Sequence, residues 1–280
     1  MIPVTRKSEV FPKMEVMLYD APTCPRKLIA FSYLECIEDR RTASVDQLSD
    51  EEATKVTEWV LKGGHTPSLE SIHLCFNIRG VSRVFSHQIV RHRIGVSIDQ
   101  KTQRANSKEY LGKFYTDNHF VLPPSFIKNK FGREIINYFC NAEQIYLKLL
   151  EQGISEDDAR YIMPQCAETS MNFKVIYKAL QHIASVRLCS LMQGEMVECV
   201  RLMVECVKEY DGLLGRYLVP NCFNTGVCNR NENNPTDEYP FGVCAHTKNG
   251  IVRRRQKDDT FDLTKFSRDT NEYHSKILKT

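Results

Sequence analysis

The 280 residues carry 38 Lys and Arg against 35 Asp and Glu, a net charge of +3 with 26% charged side chains. That near balance offers no general field for a nucleic acid to follow, and the length suffices for one sizeable core, alone or with an appendix. No apolar run reaches the ~20 residues a bilayer span needs, and no charged-then-apolar start reads as an export signal. The eleven cysteines are therefore expected as free thiols or metal ligands of a soluble, cytoplasmic protein.

In chain order, Met14 to Asp20 is a short apolar run closed by a turn, expected as the first strand, and Pro25 to Tyr33 suits a short helix. Arg40 to Gln47 is polar and reads as a loop. Ser49-Asp-Glu-Glu52 forms a capping box opening a helix to about Lys62, with Ala53, Val56, Trp59 and Val60 on one side and Gly63-Gly64 ending it. Ile72, Leu74, Phe76 and Ile78 then alternate with His73, Cys75, Asn77 and Arg79, the period of a strand with one buried face. Val81, Val84, Phe85, Ile89 and Val90 recur at helical spacing and place Gln88 and Arg91 near a helix end.

The stretch from Ser86 to Arg104 is chemically unusual. Arg91, Arg93, Lys101 and Arg104 alternate with two histidines and three glutamines. A buried helix would not carry Arg91-His92-Arg93 straight after Ile89 and Val90, and a plain surface helix would show more Glu and Lys. Guanidinium groups give planar, two-pronged hydrogen bonds to phosphate or to an imide edge. Such a segment can hold anions.

Gly132 to Gln152 is a long amphipathic helix through Ile135, Ile136, Phe139, Ile145 and Leu149, and Ser155 caps a shorter one with Asp158 at its third position. Arg160 stands among Tyr161, Ile162 and Met163, where a guanidinium needs a bound anion or a core carboxylate. Phe173 to Leu191 reads as the most apolar helix, carrying Val175, Ile176, Leu180, Ile183 and Val186 and delivering Arg187. Val197 to Leu214 is a last core helix with Val200, Met203, Val204 and Val207.

After residue 218 Pro and Asn become frequent, which divides the chain into 1–218 and an extension, 219–280. In that extension Cys222, Cys228, Cys244 and His246 can form a tetrahedral Cys3His zinc site or remain free thiols; the spacing decides neither. The charged end from Arg253 suits a surface arm or an oligomer contact. Taken together, Arg91, Arg93, Arg104, Arg160 and Arg187 imply a multi-anionic ligand, such as a mononucleotide with a dinucleotide cofactor. No Gly-x-Gly-x-x-Gly or Walker loop offers a Rossmann or P-loop alternative.

Arg91-His92-Arg93 followed, after eight residues, by Thr102-Gln103-Arg104 resembles the Arg-His-Arg…Ser-x-Arg signature of flavin-dependent thymidylate synthases. Four further stretches resemble that family in the same order. They are Gly64-His65 with Glu70 (Pro67 and Ser71 depart), Phe120 to Phe126 as a strand ending in paired prolines, Ala159-Arg160 with Pro164, and Arg187 with Gln193 and Glu195. The resemblance spans roughly residues 14–215. It implies an α+β fold, long helices on a small, mostly antiparallel sheet, in a homotetramer that shares its sites between chains.

It further implies conversion of dUMP to dTMP with methylenetetrahydrofolate as one-carbon donor and NADPH as reductant through FAD. By position, Arg187 would face the uracil imide as the catalytic residue. Gln88, Arg91, Gln100, Thr102, Gln103, Arg104 and Arg160 would hold the nucleotide, and Arg91, His92, Arg93, Lys178 and His182 the FAD. This chain departs from the family at several places. Thr102 replaces Ser, Gln100 an acidic residue and Ala105 a Tyr; Ile176, Lys178 and His182 stand at Asn and Arg contacts to FAD, and Leu191 where His is frequent. Two alternatives follow from those departures: a same-fold flavin enzyme that places a different one-carbon group on a pyrimidine, or a nucleotide-binding relative without catalysis.

Overall fold

The computed structural model describes residues 2–37, 44–63, 65–102, 119–127, 130–189, 192–221, 223, 247–248 and 251–252. Five strands form one sheet: β1 (Val4–Lys7), β2 (Glu15–Asp20), β3 (His73–Ser82), β4 (Val96–Gln100) and β5 (Glu168–Ile176), in the order β1-β2-β3-β5-β4. Every pairing in it is antiparallel, with Phe76 opposite Phe173 at its centre. Around it lie α1 (Pro25–Ile37), α2 (Asp50–Leu61), α3 (Arg83–Ile89), α4 (Pro124–Ile127), α5 (Gly132–Glu151), α6 (Glu156–Ala159), α7 (Tyr177–Arg187), α8 (Gly194–Tyr210) and α9 (Gly212–Arg216). A separate two-stranded ribbon pairs β6 (Thr247–Lys248) with β7 (Ile251–Val252). The fold is α+β.

The strand period fixes which way the sheet faces. Val16 and Leu18, Leu74, Phe76 and Ile78, and Met171, Phe173 and Val175 are all buried on one side. Against them runs α8, buried from Glu195 through Val204 and again at Cys206 and Val207. A helix enclosed on all sides must satisfy its own polar groups. Arg201 does so by donating to both Glu198 oxygens at 2.8 Å, while Ser8 Oγ donates to Glu198 at 2.5 Å. The other sheet face is polar, with Asn77 Nδ2 donating to Asn172 at 2.8 Å and Lys174 pairing with Asp99 at 3.2 Å.

Local signals account for several boundaries. Ser49 Oγ accepts from the Glu52 amide at 3.1 Å, and Gly63 ends the following turn at φ 114°. Ser155 Oγ accepts from the Asp158 amide at 3.2 Å.

Other expectations are corrected. Val4–Lys7, too short to show a period, precedes the Met14–Asp20 run, which is the second strand. The first helix continues past Tyr33 to Ile37. Trp59 is 52% exposed and lies over Tyr33 at 4.8 Å, so the inner seam of α2 is Ala53, Thr57, Val60 and Leu61. Val81 lies in β3, whose last residue, Ser82, also caps α3. Phe173 to Ile176 belong to strand β5, not to a helix that begins at Phe173; α7 starts at Tyr177 because β5 is paired on both sides up to Val175. Phe120 makes a single bridge to Ala167 where a strand was expected. On α5, Ile136 and Ile145 are about half exposed, and the buried positions are Gly132, Ala142, Glu143 and Tyr146. The last helix begins at Gly194 and breaks at Asp211, whose carboxylate accepts from the Leu213 and Leu214 amides and from Arg26. No helix among the described residues is long and apolar enough to cross a membrane.

Candidate active site

Three junctions meet on one side of the sheet: the end of α3 with the loop behind it, the passage from β5 into α7, and the start of α8. Each is pinned by a named contact. Ser82 Oγ accepts from the Phe85 amide at 3.1 Å, capping α3. Glu195, buried at the start of α8, accepts from the Ser82 amide at 2.6 Å and its hydroxyl at 2.5 Å, which ties α8 to the same cap. Burial raises the Glu195 carboxyl above its ordinary range, and these hydrogen bonds oppose that rise. Gln193 caps α8 by accepting from the Met196 amide at 2.9 Å. Tyr177, wholly buried, donates its hydroxyl to the Leu214 carbonyl at 2.7 Å and anchors the first turn of α7.

The loop behind α3 is set by Gly95. Its φ is +66°, and a Cβ there would stand 2.4 Å from Ile176 Cγ1. The close approach lets the Ile176 amide donate to the Gly95 carbonyl at 2.9 Å. Ile176, at a position the resemblance links to a polar FAD contact, is thus a packing residue for this loop.

Within that frame the last turn of α7 presents Arg187. Its Nε donates to His92 Nε2 at 3.0 Å, and its Nη1 to Gln88 Oε1 at 3.4 Å, with Met192 Sδ at 4.0 Å. None of these partners is anionic. Burial lowers the Arg187 pKa from its usual value, yet a guanidinium remains protonated. His92 is pulled down to about 4, chiefly by burial, then by the Arg187 charge, then by His182. The ring is neutral, with the Nε2 lone pair taking the Arg187 proton donor and its own proton on Nδ1. The His182 ring stands edge-on at 6.2 Å. Flanking this cluster, Arg91 and Arg93 are exposed and make no ion pair among the described residues. The arrangement is a cationic fork held by neutral groups, open to an anionic or electron-rich ligand.

The other expected site residues lie as follows. Gln100 Nε2 donates to Thr169 Oγ1 at 3.3 Å, and Thr102 is exposed just past β4. Lys178 pairs with Glu70 at 2.8 Å, which joins α7 to the 3-10 turn Thr66–Ser71. Arg160 corrects its expectation: it is no apolar-enclosed guanidinium but a 38% exposed one, paired with Asp157 of its own turn at 3.1 Å. Hydrophobic neighbours in sequence misled there, because Tyr161 is itself 87% exposed. Gln103, Arg104, Ala105, Leu191, Cys222, Cys228, Cys244 and His246 lie outside the described residues. Sequence reasoning missed Gly95 and Met192, and it noted Glu195 only as a spacing. A glycine beside an Arg-His-Arg run was the one local signal available for the first of them.

The profile of the thymidylate synthase complementing protein family matches residues 17–211, which include all of this cluster. The chain belongs to that family. It is similar to the flavin-dependent thymidylate synthase of Sulfurisphaera tokodaii, 34% identical over 192 residues that make up 68% of this chain and 72% of that protein. It is also similar to the enzyme of the same name from Clostridium tetani, 30% identical over 233 residues, 77% of this chain and 90% of that one. Its fold resembles that of a flavin-dependent thymidylate synthase from Helicobacter pylori crystallised with FAD and dUMP. The TM-score is 0.59 at 21% identity, over 73% of this chain and 99% of that chain. In this family member the extension from residue 219 lies beyond the matched stretch.

Proposed function

We propose that this protein is a flavin-dependent thymidylate synthase, methylating dUMP to dTMP with methylenetetrahydrofolate as carbon donor and NADPH as reductant. The observation that carries the reading is Arg187, a half-buried guanidinium whose described partners are His92, Gln88 and Met192, all uncharged. A cation in a sheltered position, with no carboxylate partner among the described residues, is a ready counter-charge for the imide edge of a pyrimidine as negative charge develops there. Preorganised donors of this kind contribute ~3 kcal/mol each.

The residues present suit a flavin dinucleotide. Arg91 and Arg93 are exposed cations next to the cluster, and His182 borders it. Arg91, His92, Arg93 and His182 would hold FAD, which supplies hydride transfer when bound. Lys178 joins them once Glu70 releases it. Gln88, Arg91, Gln100, Thr102, Gln103 and Arg104 would hold the nucleotide, the phosphate falling to the Thr102 hydroxyl and the arginines. Arg160, held by Asp157 of its own turn in this chain, enters the site from a second copy of the chain in a homotetramer. Cys222, Cys228, Cys244 and His246 would hold a structural zinc or stand as free thiols, which metal analysis of Cys222→Ser decides.

Purified protein is expected to be yellow, with the absorbance of oxidised flavin, and to form dTMP from dUMP when methylenetetrahydrofolate and NADPH are supplied. Arg187→Ala is expected to lower turnover at least ~100-fold while flavin stays bound. Undiminished turnover in that variant, or a colourless protein that FAD cannot reconstitute, refutes the reading.

A further inference from the structure

A guanidinium carries five N–H donors in one plane, and fixing two of them fixes the direction of the rest. Here the Nε–H goes to His92 and one Nη1–H to Gln88, both supplied by α3 and the loop that Gly95 pins to α7. What remains of the fork is aimed, and no anionic group among the described residues has discharged it. His92 can accept only while Nε2 is unprotonated. Its burial and the charge of Arg187 keep it so, as does His182; these two α7 residues are the charged or titratable groups facing the ring among the described residues, Gln88 being neutral.

We propose that His92 is a positioning residue for Arg187: its neutral ring, protonated on Nδ1, sets the plane of the guanidinium that receives the pyrimidine. This rests on the function proposed above and gives His92 a task distinct from holding flavin. It stands on a contact in which imidazole and guanidinium meet at 3.0 Å across 95 residues of sequence.

The test uses the full-length, FAD-loaded protein, with turnover counted per bound flavin. His92→Ala is expected to lower kcat/KM for dUMP about 100-fold per bound flavin, beyond any loss of flavin itself, since a misaimed binding group costs on that order. His92→Gln, whose carbonyl oxygen reaches close to the place of Nε2, is expected to restore most of the loss. Flavin lost in step with activity, with normal turnover per flavin, overturns the proposal; so does a Gln variant as poor as the Ala variant. A second readout needs no substrate. Side-chain NMR of the ligand-free protein should show the His92 ring neutral down to about pH 4, and in Arg187→Gln its titration should move up by about one unit or more. An unmoved titration denies the contact. Should the wild-type protein form no dTMP, the functional reading fails while the NMR result still decides whether His92 and Arg187 are coupled.

Discussion

Arg187 owes its setting to one residue with no side chain. Gly95 takes φ +66°, where an L side chain is strained, and lies so close to Ile176 that a Cβ would overlap its side chain. Gly95→Ala is expected to push the 90–95 loop off α7 and to carry His92 away from Arg187. Activity should fall by tenfold or more, while global stability drops only about 1–3 kcal/mol, as for other strained single sites. Turnover and urea midpoints measured together check this; a large stability loss with normal specific activity in the folded fraction would show that the loop does not aim the site. The chemistry of this cluster was legible early. Arg91-His92-Arg93 cannot be a plain core or surface helix, and that alone pointed to anions. The pairing of His92 with Arg187 was not, since nothing local joins residues 95 apart.

At the level of elements, what the sequence revealed was whatever is decided within a turn. The Ser49 and Ser155 caps and the buried alternation of β3 are such cases. β5 escaped because Val175, Ile176, Leu180 and Ile183 satisfy a helical period by coincidence, and only its two partner strands make it a strand. The helix α5 was foreseen, but its burial was not: Glu143 is 1% exposed and both its carboxylate oxygens lack a partner among the described residues. Burial raises its pKa from 4.5 to about 7. The folded state therefore holds a proton that the unfolded chain releases first. The associated stability is full below about pH 4.5 and is lost as pH rises through about 7. Glu143→Gln, neutral throughout, should nearly match wild type near pH 4.5 and exceed it by about 3 kcal/mol at pH 8. Urea unfolding at both pH values measures the gap, and a gap of equal size at the two would assign it to something other than this carboxyl.

For the molecule as a whole, the sheet and α8 build a frame that brings Gln88, His92, His182 and Arg187 together, while Arg160 is paired with Asp157 of its own turn. If Arg160 serves the nucleotide, the homotetramer proposed above would let it do so in the site of a neighbouring copy. Composition and periodicity could not reveal such an arrangement, because they describe one chain and the division of labour proposed above would lie between chains. It makes a prediction about mixtures. Arg160→Ala and Arg187→Ala should each be inactive alone, as each removes a charge-assisted contact to the same ligand. Co-refolded into mixed assemblies, they should regain activity, since some sites then combine an intact Arg187 from one chain with an intact Arg160 from another. The gain should track subunit exchange and vanish when pre-formed homogeneous assemblies are mixed without it. Active Arg160→Ala protein would remove Arg160 from the site. Two inactive variants that stay inactive in demonstrably mixed assemblies would instead place both arginines in a site built by one chain.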